Sequence, residues 1–321
     1  MNRRNFIKNS AYAGLLLSTG AFPLHAAASD PDISRLTILH TNDVHSRIEP
    51  FPMDGSRNQG LGGVAKRATL IKRVREEQKN VLLLDAGDFF RVRHISIFGG
   101  EVEIKMMSEL GYDAATIGNH DFDGGIDGLQ RQLKHANFPL IISNYDFSDT
   151  IMHDQTKPYK IFKKAGKRIG VFGLGIELNG LVPKALYKET VYLDPIDTAQ
   201  KWATFLRHEK NCDYVICLSH LGYKYKNEPE KISDVVLAKN TSEIDLIIGG
   251  HTHTFMRQPD RLQNKDGKPV IINQVGWAGI ILADWISILN VTKKATVQHV
   301  LISLWEKIHK CLYYQYLIYF I

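Results

Sequence analysis

Cysteine is scarce. Three thiols in 321 residues exclude a disulfide-stapled scaffold. There is no internal repeat, heptad array or low-complexity linker, and a composition of 44% hydrophobic, 23% charged and 10% aromatic residues excludes disordered, collagen-like and coiled-coil chains. No concentrated basic stripe is present either. Forty Lys and Arg against 34 Asp and Glu give +6, and Arg3, Arg4 and Lys8 lie in a segment expected to be removed, which leaves a net +3. That balance is too mild and too dispersed for a nucleic-acid polymer as partner.

Long hydrophobic runs are missing as well. The apolar stretch Ala11–Leu24 is diluted by Gly14, Ser18, Thr19 and Gly20, too short and interrupted to span about 30 Å of hydrocarbon. With its basic start and the small-residue run Ala26-Ala27-Ala28, residues 1–28 read as a signal peptide, with no stable membrane anchor. Arg3-Arg4-Asn5-Phe6-Ile7-Lys8 resembles the twin-arginine signal, so the expectation is export to the periplasm by the twin-arginine machinery. Cys212 and Cys217 bracket a predicted strand about 16 Å long and are expected unpaired. Cys311 is an inert thiol or an intermolecular partner.

Short apolar runs at Leu36–Leu39, Val81–Leu84, Ala114–Ile117, Leu140–Ile142, Ile169–Phe172, Tyr214–Leu218, Leu246–Ile248 and Val270–Ile272 have strand length and β-branched content. Between several of them run amphipathic helical patterns: Val64, Ala68, Ile71 and Val74 share one face. Similar segments cover about Glu101–Leu110, Ile126–Ala136, Thr198–Glu209 and Ser233–Lys239. Alternation of this kind predicts an α/β fold with a largely parallel core. A long surface loop is expected from Glu49 to Gly60. The final ten residues, LYYQYLIYFI, carry no charge; they suit an apolar strand, an oligomer contact or a disrupted reading frame.

Directly after five predicted strands the chain offers metal-competent side chains: Asp43 and His45; Asp85 and Asp88; Asn119, His120, Asp121 and Asp123; His220; and His251 and His253. Each fragment alone has an ordinary reading. Asp43 and His45 suit a polar turn, Asp85 and Asp88 a solvated loop, and Asp123 a helix cap or a catalytic role. Their joint occurrence on one edge argues otherwise, because the carboxyl ends of strands in an open α/β sheet are where ligands bind. Asp, neutral His and an Asn amide oxygen form a mixed N/O set suited to Mn, Zn, Fe or Co. So many donors, seven or more, exceed one tetrahedral ion and suit a pair bridged by a carboxylate, about 3.5–4 Å apart.

The blocks D-V-H, D-A-G-D, G-N-H-D-F-D, S-H-L-G and G-G-H-T-H, in this order, resemble the signature blocks of calcineurin-like metallophosphoesterases. L-T-I-L-H-T-N-D-V-H and G-Y-D-A-A-T-I-G-N-H-D-F-D are similar to the catalytic N-terminal domain of secreted 5'-nucleotidases, over roughly residues 36–276. The resemblance implies a four-layer αββα sandwich over residues 29–290. It implies two divalent ions, one held by Asp43, His45, Asp88 and His253, the other by Asp88, Asn119, His220 and His251, with Asp88 shared. A hydroxide between the ions would attack phosphorus in line, and His120, paired with Asp123, would stabilise the transition state or donate a proton alongside Asn119. The implied function is phosphomonoester hydrolysis of nucleotides or related esters.

Three departures from that pattern stand out. Phe89-Phe90-Arg91-Val92-Arg93-His94-Ile95-Ser96-Ile97-Phe98 replaces a small-residue segment and reads as a solvated or disruptive stretch. No C-terminal nucleotide-specificity domain follows, so a separately encoded partner is expected to supply it or to be dispensable. Residues 280–297 show no clear counterpart of a closing strand, and 291–321 form an atypical tail. Alternatives are a catalytically silent metal-binding remnant, a thiosulfohydrolase or a cyclic phosphodiesterase.

Overall fold

The computed structural model describes residues 33–290; the leader 1–28, the tail 291–321 and Cys311 lie outside them. Twelve strands and seven α-helices follow in chain order: β1 (Ile33–Thr41), α1 (Val64–Glu77), β2 (Val81–Asp85), α2 (Val92–Phe98), α3 (Glu101–Leu110), β3 (Ala114–Ala115), α4 (Gly125–Gln132), β4 (Tyr145–Asp146), β5 (Tyr159–Lys164), β6 (Lys167–Leu174), α5 (Lys184–Tyr187), β7 (Val191–Tyr192), α6 (Pro195–Thr204), β8 (Tyr214–Ser219), α7 (Asp234–Asn240), β9 (Leu246–Gly249), β10 (Asp260–Gln263), β11 (Pro269–Asn273) and β12 (Ala283–Asn290). One sheet runs β12-β1-β2-β3, a second β10-β11-β9-β8-β6-β5, and β4 pairs with β7. The interior pairs β1–β2, β2–β3, β6–β8, β8–β9 and β9–β11 are parallel.

Side-chain alternation explains the layers. Leu36 and Ile38 of β1, and Leu82 and Leu84 of β2, turn inward to meet Val171, Ile216, Leu218, Leu246 and Ile248 of the other sheet. Their neighbours Leu39, Val81 and Leu83 turn outward onto α1, α3 and α4. In the second sheet Phe172, Val215, Cys217 and Ile247 turn outward instead and pack with Ala199, Ala203 and Leu237 of α6 and α7. Period-two burial on both faces makes four layers, helix–sheet–sheet–helix, as the resemblance implied.

Several local expectations are corrected. Residues 280–297 do contain a closing strand: β12 pairs antiparallel with β1 from Ala283↔His40 to Asn290↔Ile33. Leu140–Ile142 forms only isolated bridges to Ala115 and Lys157. Residues 89–98 are not wholly solvated, although Val92, Ile97 and Phe98 are exposed. Phe89 and Phe90 are 1% exposed, their rings edge-to-face with centroids 4.7 Å apart, and α2 follows them. Gly100, at φ +89°, leaves the space that the Phe90 ring fills. Cys212 and Cys217 are free and buried, as expected.

Candidate metal centre

The parallel strands of both sheets deliver their following loops to one edge. The loops after β1 and β2 continue the ladder: Asp43 donates to Gly87 O (2.9 Å), His45 to Asp88 O (3.0 Å) and Ser46 to Phe89 O (2.9 Å). Asp43 (φ 50°), His45 (49°), Asp88 (59°), His251 (69°) and His253 (52°) all sit in the left-handed region. Such a conformation is uncommon for residues with a side chain, and it persists where surrounding structure enforces it at functional sites.

The side chains converge. His220 Nε2 lies 3.1 Å from Asp88 Oδ2 and 3.9 Å from Asp43 Oδ1. His45 Nε2 lies 3.8 Å from Asp43 Oδ1 and 3.9 Å from Asp88 Oδ2, and His253 Nε2 lies 3.3 Å from Asp43 Oδ1. His45 Nε2 and His253 Nε2 face each other at 2.9 Å. His251 Nδ1 meets Asn119 Oδ1 at 3.0 Å, and the His251 N–H donates to Asp43 Oδ2 at 3.0 Å. Two triads have their ligand atoms within 4.8 Å of one another: Asp43–His45–His253 and Asp43–Asp88–His220. Asp43 therefore belongs to both triads, while Asp88 reaches His45 as well as His220.

The electrostatics ask for positive charge. Burial alone would strip the proton from His220, but Asp88 and Asp43 beside it outweigh burial and push its pKa up to about 10. Burial likewise opposes ionisation of Asp88, yet His220, His45 and His120 hold its carboxyl well below the usual range. His251, desolvated and facing His220, is driven down to about 4, so its imidazole is neutral and its lone pair is free to coordinate. His220 Nε2 is buried and has no aligned hydrogen-bond partner. A buried orphan nitrogen among carboxylates, with an N/O donor set and no thiolate, fits a divalent cation.

His120 stands at the rim, its side chain 43% exposed, with Nδ1 3.1 Å from Asp123 Oδ2. That hydrogen bond raises the histidine's pKa against partial burial. Asp123 does not cap α4, whose N-cap is Gly124 with no side-chain hydrogen bond. Asp85, one of the metal-competent candidates, turns away from the centre: it accepts from Thr41 Oγ1 (2.5 Å) and the Gly87 N–H (2.9 Å). Its place inside the β2 ladder, opposite Thr41 and Ala115, dictates that direction.

Asp121, a metal-competent candidate by sequence, serves instead as support, and Asn42 and Gln274 join it without having been candidates. Asp121, fully buried, accepts the N–H groups of Asp88, Phe90 and Gly118. Asn42 donates to Asp43 Oδ2 and to Gly276 O, both at 2.6 Å, and accepts from Val275 N. Gln274 bridges Gly250 O, Thr252 Oγ1 and Thr254 N. Asn42 and Asp121 carry one sequence signal, their place within a residue or two of Asp43 and Asn119; Gln274, 21 positions from His253, carries none.

Residues 36–255 match the calcineurin-like phosphoesterase family. A snake venom 5'-nucleotidase of Gloydius brevicauda is 37% identical over 259 residues, 78% of this chain and 42% of that protein. A probable 5'-nucleotidase of Treponema pallidum is 33% identical over 243 residues, 74% of this chain and 39% of that protein. Among solved structures, a 5'-nucleotidase precursor from Thermus thermophilus superposes with a TM-score of 0.72 at 29% identity, covering 84% of this chain and 55% of that one. The chain thus spans less than half the length of these two curated relatives.

Proposed function

The chain belongs to the calcineurin-like phosphoesterases, and from that premise we propose that it is a metal-dependent phosphomonoesterase, 5'-nucleotidase-like, acting on nucleotides or related phosphate esters in the periplasm. The observation that supports this most directly is the gathering of Asp43, His45, Asp88, His220 and His253 into two overlapping triads that share Asp43, with Asn119 and His251 paired beside them. These seven residues are the proposed ligands of two divalent ions, of the Mn, Zn, Fe or Co kind. Bound there, such ions supply Lewis-acid charge for phosphoryl oxygens and a nucleophile at neutral pH.

The rest falls to the chain itself. Asp123 holds His120 through Nδ1, which orients the ring and leaves Nε2 to donate to a phosphoryl oxygen or the departing alkoxide. The raised pKa keeps that proton in place. Asn119, its Oδ1 turned to His251, has amide N–H groups left for charge developing on the phosphoryl group. Asp121 fixes the spacing between the Asp88 and Asn119 loops.

Among the described residues no helix is long and apolar enough to cross a membrane, and Arg3-Arg4 with the following leader supports twin-arginine export. The proposed organisation is a removed leader, a catalytic domain over 29–290 and a divergent tail, with a separately encoded C-terminal domain as a candidate partner.

The test is phosphate release from AMP and from a chromogenic ester by purified protein loaded in turn with each of the four metals. Absence of turnover with all of them refutes the proposal. Sulfate release from a thiosulfonate with phosphate esters untouched redirects it to the thiosulfohydrolase alternative. Conservative substitution of Arg3 and Arg4 should retain the protein in the cytoplasm.

A further inference from the structure

Rings continue outward from the centre in an unbroken row. His120 meets His45 edge-on at 5.0 Å between centroids, and His45 meets His253 at 5.0 Å. His253 stacks on Trp277 at 5.8 Å and 14° between planes. Trp277 then meets Phe51 edge-to-face at 5.6 Å, and the Arg47 guanidinium lies 4.0 Å over the Phe51 ring. Trp277 and Phe51 are both partly exposed next to His253, with His253 against one face of Trp277 and the Arg47 guanidinium over one face of Phe51.

The two rings are held by backbone rather than by chance packing. Ala278 donates to Asp43 O at 2.7 Å, tying the residue after Trp277 to the ligand loop. Phe51 sits at the neck of the 49–60 loop, its N–H on Leu61 O and its C=O accepting from Gly60 N. A side chain at Gly62, at φ +71°, would meet Ala278 O at 2.8 Å, so glycine there lets the two segments touch.

Resting on the phosphomonoesterase reading above, we propose that Trp277 and Phe51 form a shelf for the leaving group, selecting esters whose alcohol carries a planar ring. A phosphoryl group held at the triads lies beside His253, the ring on which Trp277 stacks, and a planar substituent that extends over that side gains stacking that an aliphatic one does not. Base-on-aromatic stacking is a recognition device indifferent to base identity. The shelf therefore selects planarity rather than one base, and it does so from within this domain.

Two pairs of probes test this on the metal-loaded protein. KM is compared for phenyl phosphate and ethyl phosphate, and Kd by calorimetry for the non-hydrolysable phenylphosphonate and methylphosphonate. The wild type should favour each phenyl member by about tenfold or more. Trp277→Ala and Phe51→Ala should each shrink that preference to about threefold or less, and Trp277→Phe should keep most of it. A preference that survives both truncations overturns the proposal. So does an equal loss for both members of a pair, the mark of a tryptophan that only orients His253, and so does a wild type that binds neither phosphonate. If neither ester is hydrolysed, the phosphomonoesterase reading fails, while the phosphonate preference still decides the shelf.

Discussion

Asp121 reaches from the loop after β3 to the loop after β2, where its Oδ2 accepts the backbone N–H of Asp88 at 2.9 Å. The same oxygen accepts Gly118 N at 2.8 Å, and Oδ1 accepts Phe90 N at 3.1 Å. In return Asp88 Oδ1 accepts the N–H of His120 at 2.8 Å. Two carboxylates thus brace two loops. Asp121→Asn turns an amide NH2 toward at least one of these donors, and an unsatisfied buried polar group costs about 1–3 kcal/mol. Urea unfolding should show that loss, and metal titration should show weaker binding; unchanged stability and affinity would contradict the bracing role.

His120→Ala removes a donor at the rim and leaves every proposed ligand in place. Turnover should fall on the order of a hundredfold or more, with metal content by elemental analysis near that of the wild type. Loss of metal in proportion to activity would reassign His120 to the ligand set.

Asp43→Ala should empty the centre more completely than His253→Ala, because Asp43 joins both triads and His253 only one. Cation binding to the folded state alone raises stability with concentration, so saturating Mn or Zn should raise the wild-type melting temperature and leave that of Asp43→Ala flat. An equal metal-dependent rise in both proteins would contradict a ligand role for Asp43 in both triads.

Gly118 sits in the crowded heart of the site. A Cβ there would lie 2.1 Å from Asp88 Oδ1 and 2.6 Å from His220 Nε2. Gly118→Ala should therefore disrupt metal binding and cost about 1–3 kcal/mol through overpacking, whereas Gly166→Ala, with open space at its Cβ, should leave metal content intact.

Asp234 is fully buried, accepts from Ser219 Oγ and leaves Oδ2 unpartnered. Burial pushes its pKa up to about 8. The folded metal-free protein keeps this proton while the unfolded chain releases it near pH 4, so the group makes stability fall as pH rises from about 4 to about 8. Asp234→Asn should flatten that part of the slope in urea unfolding measured across the same pH range. Identical slopes in both proteins would contradict the shift.

The interior strands were legible because their residues are apolar on both faces, as Val81–Leu84 and Leu246–Ile248 show, and a sheet covered by helices needs such runs. β12 is not legible in its own residues, Ala-Asp-Trp-Ile-Ser-Ile-Leu-Asn, because long-range pairing with β1 makes it a strand. Phe89 and Phe90 looked misplaced after a ligand loop, and only the space beside Gly100 explains them.

From the sequence alone came the donor types and their common edge, since parallel strands joined by helices must deliver their carboxyl ends to one side. The tertiary structure decided that Asp43 belongs to both triads, that Asp85 is turned away and that Trp277 stacks on His253. Those outcomes hang on contacts such as the His251 N–H on Asp43, 208 positions apart, and on left-handed backbone at the ligands. Local propensity disfavours that backbone, and only the assembled loops can hold it.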